Sequence, residues 1–384
     1  MGACKVTDIE ILLAQFEEIA NNPKKQLEQY ISEGKKVIGC YPYYVPEELI
    51  YAAGMIPMGL WGKRGNPNKA KEYFAPFYCS LVQMNLEMAL NGDLQKLSGV
   101  VHTTLCDTLR PSSQNFRVAM DKIPMIFLAH PQNRKPEFGV EYTMAIYSKM
   151  LNQLEEIVGR KVSAGDIKEA IKVYNENRQA KREFVKNAGM HPELISAVQR
   201  SAVLKSSYFM EKHLHTTMLN ELNKMLQASP IEEWHGTRVV TSGIICDNPS
   251  FLKILDDNRI AIAADDVAHE SRSFRKDAPY NEDPIRSLAV QFADQDQDTI
   301  LYDPSLNSRP SHIIDLVKNS NAQGVIVLMM TFCDPEEMEY PSLYNALKEA
   351  KIPCLKIGYN HQITDFGQAR TSLQAFAEVL SMKN

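Results

Sequence analysis

Short apolar runs alternate with longer amphipathic segments in the first third of the chain. Residues 8–33 carry Leu, Glu, Lys and Gln at helical spacing and end at Gly34. Four apolar runs follow, at Lys36–Tyr41, Met55–Trp61, Gly99–Thr104 and Pro124–Ala129. The stretches between them are long enough for helices, and this alternation is typical of a parallel sheet with helices on both faces. The pattern predicts a first α/β domain.

The middle of the chain has a different pattern. Long amphipathic stretches, Gly165–Lys186 and Pro192–Leu226, occur there with almost no strand-like run. Strand-like runs return at Thr237–Ile245, Ile260–Asp265, Gly324–Thr331 and Pro353–Gly358, and a last helix follows from Phe366. We therefore predict an α/β fold with two Rossmann-like domains, doubly wound around mainly parallel sheets. The predicted units are residues 1–139, a helical insert at 140–236, and residues 237–384.

Composition and charge narrow the class of protein. The chain has 384 residues, of which 44% are hydrophobic and 23% charged, as in ordinary globular proteins. Its 42 basic and 47 acidic residues include no long basic run, which argues against binding to nucleic acid or anionic membranes. The sequence has no run of 18 apolar residues and no basic segment before an apolar one at its start, so we expect a cytoplasmic protein.

Seven cysteines are the main chemical candidates. Their odd number and wide spacing argue against a disulfide framework, so we expect reduced thiols. The strand-like run from Gly99 ends in Thr-Leu-Cys106-Asp, and the run from Gly324 ends in Thr-Phe-Cys333-Asp. Because ligands bind beyond the carboxyl ends of parallel strands, two such domains would present both cysteines to one cleft. Chance similarity between two buried strands is the alternative.

Cys79 is a third candidate, since it is predicted to begin a helix that runs to Leu90. The amino end of a helix stabilises a thiolate. Three thiolates that meet between two domains suit a 4Fe-4S cluster with one iron open to another ligand. Residue types alone leave open the alternative that all three are buried structural cysteines.

Familiar motifs of other enzyme classes are missing from the sequence. It contains no G-x-x-x-x-G-K-[ST], no G-x-G-x-x-G after a strand, no H-E-x-x-H and no C-x-x-C. These absences argue against an ATPase or a zinc protease. Any metal bound by cysteines must therefore be assembled from distant loops.

Longer stretches of the sequence carry a family resemblance. They are Gly39–Gly54, Cys106–Pro111, His130–Arg134 and Phe332–Glu337. Together they resemble the 2-hydroxyacyl-CoA dehydratase family, which includes benzoyl-CoA reductase subunits. Four more stretches are similar to β subunits of that family, namely Ser112–Arg117, Arg200–Lys205, Ser242–Pro249 and Asp265–Arg275. The resemblance spans nearly the whole chain.

The resemblance implies roles for the cysteines and for one glutamate. It implies that Cys79, Cys106 and Cys333 hold a 4Fe-4S cluster. The remaining cysteines, Cys4, Cys40, Cys246 and Cys354, match no ligand of the family, although Cys40 ends a strand near the predicted cleft. Glu48 matches a Pro-x-Glu pattern of the family and is predicted to face the cleft as an acid or base next to the cluster. The alternative is a structural role, in which Glu48 lies in the first turn of a helix and complements its positive amino end.

Other charged residues are weaker candidates. Arg110, Arg117 and Arg134 follow strands that lead to the same face, so they are predicted to bind phosphate, carboxylate or a partner subunit. Solvated surface arginines are the alternative. His213 and His215 are predicted to lie on a surface face of the helical insert.

The resemblance also implies an activity and partners. The implied activity is that of an (R)-2-hydroxyacyl-CoA dehydratase, which reduces the thioester by one electron to a ketyl radical before water leaves. The implied partners are a homologous α subunit in a heterodimer, an ATP-hydrolysing iron–sulfur activator and the 2-hydroxyacyl-CoA substrate. The cluster of a β subunit is implied to relay the electron. The resemblance also leaves open FMN or riboflavin as a further cofactor, for which the sequence contains no motif.

Two other functions stay open at this point. A subunit of a benzoyl-CoA reductase-type enzyme shares the same family resemblance. A redox-inactive two-domain protein that binds a small molecule shares the predicted fold and would contain no iron.

Overall fold

The first sheet is built from the four apolar runs in the first third of the chain. In a computed structural model, which describes residues 2–301 and 308–382, they form β1 (Val37–Tyr41), β2 (Ile56–Gly59), β3 (Gly99–Thr103) and β4 (Met125–Leu128). All neighbouring strands are parallel, in the order β2-β1-β3-β4. Every residue of the first three strands is buried, as expected where helices cover both faces of a sheet.

The second sheet repeats the topology of the first. It contains β5 (Thr237–Gly243), β6 (Ile260–Val267), β7 (Gly324–Met330) and β8 (Cys354–Tyr359), all parallel, in the order β6-β5-β7-β8. In each sheet the first strand lies between the second and the third. Strands β3 and β7, which precede Cys106 and Cys333, therefore occupy the same position in their sheets. The two predicted Rossmann-like domains are confirmed.

Helices surround both sheets and fill the segment between them. The first group comprises α1 (Gly2–Asn21), α2 (Pro23–Ser32), α3 (Glu47–Ala52), α4 (Ser80–Leu90) and α5 (Leu109–Ala119). The middle group comprises α6 (Glu137–Val158), α7 (Ala164–Met190), α8 (Ala197–Ser206) and α9 (Lys212–Gln227). The last group comprises α10 (Pro249–Asp257), α11 (Ser271–Phe274), α12 (Pro284–Ala293), α13 (Arg309–Asn319), α14 (Asp334–Glu349) and α15 (Gly367–Ser381). In the described ranges, no helix is both long and apolar enough to cross a lipid bilayer.

The predicted amphipathic stretch Pro192–Leu226 forms two helices, α8 and α9, with a turn between them. A capping box begins α8, in which Ser196 accepts a hydrogen bond from the N–H of Gln199 and the Gln199 side chain accepts one from the N–H of Ser196. Between the two helices, three consecutive large side chains are buried, those of Tyr208, Phe209 and Met210. Tyr208 and Phe209 pack in the core that the two sheets share, whereas Met210 packs in the core of the middle helices.

His215 corrects a prediction, since it is fully buried while His213 is exposed. The amide of Asn177 donates to its Nδ1 at 2.9 Å, and its Nε2–H donates to the Val203 carbonyl at 3.1 Å. Burial, with a contribution from Lys181, lowers the pKa of His215 to about 3. Residues two apart point in different directions on a helix, which places one histidine in solvent and the other in the core.

The amino-terminal helix α1 packs on the middle helices. Ile9, Leu13 and Phe16 share a core with Phe184 of α7 and Leu219 of α9. Helix α1 therefore belongs in space with the helical segment, although it is close to the first sheet in sequence. The predicted boundaries near residues 139 and 236 stay predictions.

A shared core and a polar network join the two sheets. Tyr41 of the first sheet belongs to the same hydrophobic core as Val239 and Leu328 of the second. In the loop after β1, the Tyr44 hydroxyl donates to Asp298 at 2.8 Å. Arg272 lies 3.9 Å from Asp298 and 3.2 Å from the buried carboxylate of Asp266, at the end of β6. The carboxyl end of β1 is thus tied to the carboxyl end of β6.

Gly189 marks a close approach between α7 and the second sheet. A Cβ at this position would lie 2.4 Å from the backbone oxygen of Ala263. Because a backbone carbonyl in a strand cannot rotate away, we expect Gly189→Ala to lower the free energy of unfolding by about 2 kcal/mol. Urea denaturation followed by circular dichroism measures this loss.

The matched control for this prediction is Gly165→Ala in the same helix. Its added Cβ meets only the Ser163 hydroxyl, at 3.5 Å. Alanine favours the helix over glycine by up to about 1 kcal/mol, so this variant should unfold at an equal or higher urea concentration. Equal midpoints for the two variants would contradict the close approach at Gly189.

Candidate functional site

Each of the three predicted cluster cysteines stands just before a helix. Cys79 immediately precedes α4, and its carbonyl accepts the N–H of Gln83 at 3.3 Å. Cys106 lies in the loop between β3 and α5, three residues after the strand ends. Cys333 also lies three residues after its strand, β7, and immediately precedes α14. The predicted start of a helix at Cys79 is confirmed.

The three thiols are close enough for their charges to interact, although Cys333 belongs to the second domain. Burial raises the pKa of Cys79 to about 12, and the nearby thiol of Cys106 contributes to this rise. Burial and the carboxyl group of Glu336 raise the pKa of Cys333, and Cys79 and Cys106 both add to the effect. Burial raises the pKa of Tyr41, at the carboxyl end of β1, and the nearby Cys79 and Cys106 add to this rise. The structure therefore brings the three cysteines to one crevice between the sheets.

Backbone N–H groups at the starts of the helices point towards the sulfur atoms. The N–H groups of Leu81 and Val82 lower the pKa of Cys79. The N–H groups of Thr108 and Leu109 lower the pKa of Cys106, and the N–H group of Glu336 lowers the pKa of Cys333. Each of these hydrogen bonds favours the thiolate and opposes the larger effect of burial. Hydrogen bonds to sulfur also tune the potential of iron–sulfur clusters. The surroundings of the three cysteines are thus suited to thiolate ligands.

The three thiols are the type of ligand that iron–sulfur clusters take from proteins. Within the described part of the chain, no three His, Cys, Asp or Glu side chains are grouped closely enough to hold one ion. In an iron–sulfur cluster each thiolate binds a different iron, so the ligands stand farther apart than around one ion. None of the three cysteines forms a disulfide, and Cys106 and Cys333 are partly exposed. Three free thiols with backbone N–H donors nearby are residues that could hold a 4Fe-4S cluster.

A hydrogen-bonded pair, Ser80 and His361, joins the start of α4 to the segment after β8. His361 Nε2 lies 2.8 Å from the carbonyl oxygen of Trp61, which can only accept, so Nε2 carries the proton. His361 Nδ1 then accepts from the Ser80 hydroxyl at 2.9 Å. The Ser80 oxygen in turn accepts the backbone N–H of His361 at 3.1 Å. These contacts hold the residue next to Cys79 against the second domain.

The other cysteines with described side chains lie away from this crevice. Adjacent residues of a strand point to opposite faces, so Cys40 and Tyr41 lie on different sides of the first sheet. Tyr41 belongs to the core that contains Cys79, whereas Cys40 packs in the core on the other side. Cys246 is buried in the shared core, and Cys354 begins β8, at the opposite end from Cys333. The side chain of Cys4 lies outside the described residues.

Glu48 faces a separate cavity on the side of the sheet that Cys40 occupies. This cavity measures about 840 Å³, including the open solvent at its mouth, and none of the three predicted cluster cysteines lines it. Glu48 is buried and forms an ion pair with Arg178 at 2.7 Å. The acid–base role of Glu48 stays a prediction, and the structure gives it a cationic partner within the chain.

The three predicted arginines have different surroundings. Arg134 is buried, and its guanidinium donates to the carbonyls of Leu301 and Gln295 at 3.2 and 3.1 Å. Arg134 therefore binds the second domain of the same chain through these contacts. Arg110 and Arg117 are exposed on α5, the helix that follows Cys106. They remain candidates for binding a partner or an anion.

Sequence reasoning missed Ser80, His361 and Lys181, a buried lysine of α7 that lines the same cavity as Glu48. His361 follows the predicted strand at Pro353–Gly358 by three residues, and polar residues after such strands often face a site. That signal was available for His361. Ser80 and Lys181 lie within helical patterns that give no sign of their partners.

Fold and site together define a class: a two-domain α/β protein in which cysteines from both domains meet between the carboxyl ends of two parallel sheets. The family described as 2-hydroxyglutaryl-CoA dehydratase, D-component, matches residues 42–380. The chain belongs to this family, which confirms the resemblance seen in its sequence. The chain is therefore one subunit of a hydro-lyase, an enzyme that removes water from its substrate.

Individual relatives match over nearly the full length of the chain. It is 53% identical to (R)-2-hydroxyglutaryl-CoA dehydratase, subunit beta, of Acidaminococcus fermentans, over 97% of this chain and 100% of the relative. The chain is 42% identical to the (R)-phenyllactyl-CoA dehydratase beta subunit of Clostridium sporogenes, over 95% of this chain and 97% of the relative. It is 24% identical to one of the benzoyl-CoA reductase subunits of Thauera aromatica, over 91% of this chain and 92% of the relative.

The Ser80–His361 contact generates a testable prediction. Ser80→Ala removes the hydroxyl and leaves the N–H and Nδ1 of His361 without their partner in a buried setting. We expect a loss of about 1–3 kcal/mol in the free energy of unfolding, measured by urea denaturation. Ser148→Ala is the control, because the exposed Ser148 hydroxyl bonds only to the Met144 carbonyl of its own helix. If both variants were equally stable, the contact would not hold the two domains together.

Proposed function

We propose that the chain is the β subunit of an iron–sulfur (R)-2-hydroxyacyl-CoA dehydratase that converts (R)-2-hydroxyglutaryl-CoA to glutaconyl-CoA. The observation that carries the proposal is the convergence of Cys79, Cys106 and Cys333 from two domains. The 53% identity over 97% of the chain to a 2-hydroxyglutaryl-CoA dehydratase subunit supports the acyl group. The proposed partners are a homologous α subunit and a separate ATP-hydrolysing iron–sulfur activator, which agrees with the lack of a phosphate-binding loop in this sequence.

The proposed reaction explains why a redox group is needed. The proton lost on dehydration lies β to the thioester carbonyl, where no enolate stabilises the carbanion, so acid–base catalysis alone is too weak. Cys79, Cys106 and Cys333 would hold a 4Fe-4S cluster, which would supply one electron for a ketyl radical of the thioester. Hydroxide would then leave from C2, the C3 proton would become acidic enough to remove, and the electron would be returned. The residues of this chain hold the thiolates, donate backbone N–H groups to the sulfur atoms and limit the access of water.

The position of the site favours electron relay to a partner protein. Cys106 and Cys333 are partly exposed, so the cluster would lie close to the protein surface. Two exposed aromatic side chains flank it in sequence, with Phe77 65% exposed and Phe332 43% exposed. Phe332 has a φ of 65°, a left-handed conformation that is costly for a bulky residue. Exposed aromatic side chains next to two of the three cysteines in sequence suit contact with another subunit.

The role of the cysteines is tested by replacing Cys333 in the complex with its α subunit, purified without oxygen. We expect Cys333→Ser to lower dehydratase activity by at least about tenfold and to reduce the cluster absorption of the complex. Cys354→Ser is the matched control, because Cys354 is also partly exposed in the second domain but lies at the other end of the sheet. It should retain both activity and absorption. Full activity and unchanged absorption in Cys333→Ser would overturn the proposal.

The substrate is tested separately by supplying the same complex and its activator with three thioesters. We expect water release from (R)-2-hydroxyglutaryl-CoA to be faster than from (R)-phenyllactyl-CoA, by at least about tenfold in kcat/KM. No reduction of benzoyl-CoA is expected. Reduction of the aromatic ring would instead support a benzoyl-CoA reductase-type subunit. An iron-free complex with no activity on any of the three would support a redox-inactive binding protein.

A further inference from the structure

The cavity that Glu48 faces lies where all three parts of the chain meet. Its walls come from the loop after β1 and from α3, from α7 and the turn before α9, and from α12 of the second domain. Seven aromatic side chains line it, namely Tyr43, Tyr44, Trp61, Tyr147, Tyr174, Tyr208 and Phe292. Pockets with mostly aromatic and apolar walls and a few placed polar groups are typical of sites for small organic molecules.

Five charged side chains line the cavity, and four of them pair with one another. Arg178 pairs with Glu48 at 2.7 Å, and Lys212 pairs with Glu47 at 3.0 Å. Arg178 also donates to the Asn175 side chain at 2.7 Å, and the Tyr174 hydroxyl donates to Glu47 at 3.2 Å. Both carboxylates therefore have cationic partners, and no acidic side chain of the cavity wall is left over.

Lys181 is the fifth charged group and has no such partner. It is 7% exposed, and within the described residues its ammonium group forms neither a hydrogen bond nor an ion pair. Its Nζ lies 4.9 Å from the ring centre of Phe274, a contact that offers only weak stabilisation. A buried ammonium without a counter-ion is costly, and the cost is relieved either by loss of the proton or by an anion that is not part of the chain.

Tyr147 supplies a second unused group. Its hydroxyl forms no hydrogen bond to any residue the structure describes, although the side chain is 2% exposed. It lines the cavity together with Lys181. This hydroxyl, in the cavity wall and without a partner among the described residues, is also available to a ligand.

We propose that this cavity is a binding site for a small organic monocarboxylate, which places its carboxylate on Lys181 and its apolar part against the aromatic walls. One unpaired ammonium matches one negative charge, whereas a phosphate dianion would exceed it. The walls offer aromatic surface and single hydroxyl groups, which suits the body of an organic acid better than an inorganic anion. The site is independent of the three cysteines, so the proposal does not rest on the proposed function.

The test uses 3-phenylpropionate as probe and isothermal titration calorimetry of the purified complex. We expect binding to this chain that Lys181→Met weakens by about 10- to 100-fold, the range for a hydrogen bond to a charged group. The uncharged amide of the same acid should bind as weakly to the wild type as the acid binds to the variant. Lys186→Met is the matched control, because Lys186 is an exposed residue of the same helix, and it should leave the affinity unchanged.

Three results would overturn the proposal: no binding of the acid, equal affinity for acid and amide, or unchanged affinity in Lys181→Met. Lys181→Arg keeps the positive charge, so it separates loss of the charge in Lys181→Met from a general effect of replacing Lys181. It should bind the acid more tightly than Lys181→Met does. Preference for phenylphosphonate over the carboxylate would also count against the proposal.

The pH dependence of binding to the wild-type protein provides a second test. Burial lowers the pKa of Lys181 to about 7, with Lys212, Arg178 and Arg182 contributing and Glu47 opposing the effect. Only the protonated amine attracts the carboxylate, so the affinity should fall as the pH rises above 7, until it reaches the affinity of Lys181→Met. Constant affinity between pH 6 and pH 9 would contradict the assignment of the carboxylate to Lys181.

Discussion

The carboxyl ends of two parallel sheets must meet across one crevice, and the rest of the structure depends on this constraint. Each domain alone supplies an incomplete set of the proposed sulfur ligands, since Cys79 and Cys106 come from the first domain and Cys333 from the second. The hydrogen bonds between Ser80 and His361 and between Tyr44 and Asp298 fix the two domains at this edge. Burial of Tyr41, Val239 and Leu328 in a common core prevents the crevice from opening freely.

The same crevice balances two opposing effects on the sulfur atoms. Burial disfavours thiolates, as the raised pKa values of Cys79 and Cys333 show. The starts of α4, α5 and α14 oppose burial by directing backbone N–H groups at the same atoms. Helix starts in this position result directly from the repeated topology, in which each strand leads into a helix at the carboxyl edge of the sheet. The arrangement of strands and helices therefore also determines which backbone N–H groups surround the three sulfur atoms.

Much of the fold could be predicted from the sequence because strands buried on both faces read as continuous apolar runs. Each of the eight predicted runs overlaps an observed strand, and the shared ending at Cys106 and Cys333 reflects equivalent positions in two sheets. The break between α8 and α9 and the burial of His215 were not predicted. Both depend on tertiary packing, which helical periodicity does not report. Ser80 and His361 are 281 residues apart in sequence, and Lys181 resembles any other lysine of an amphipathic helix.

The central claim is that three cysteines from two domains hold one cluster in this chain. Iron and acid-labile sulfide analysis of the oxygen-free complex tests it most directly, by comparing the wild type with a variant in which Cys79, Cys106 and Cys333 are all replaced by alanine. The account predicts that the variant contains about four fewer iron and four fewer sulfide ions per complex than the wild type. Equal iron and sulfide contents in the two proteins would contradict it.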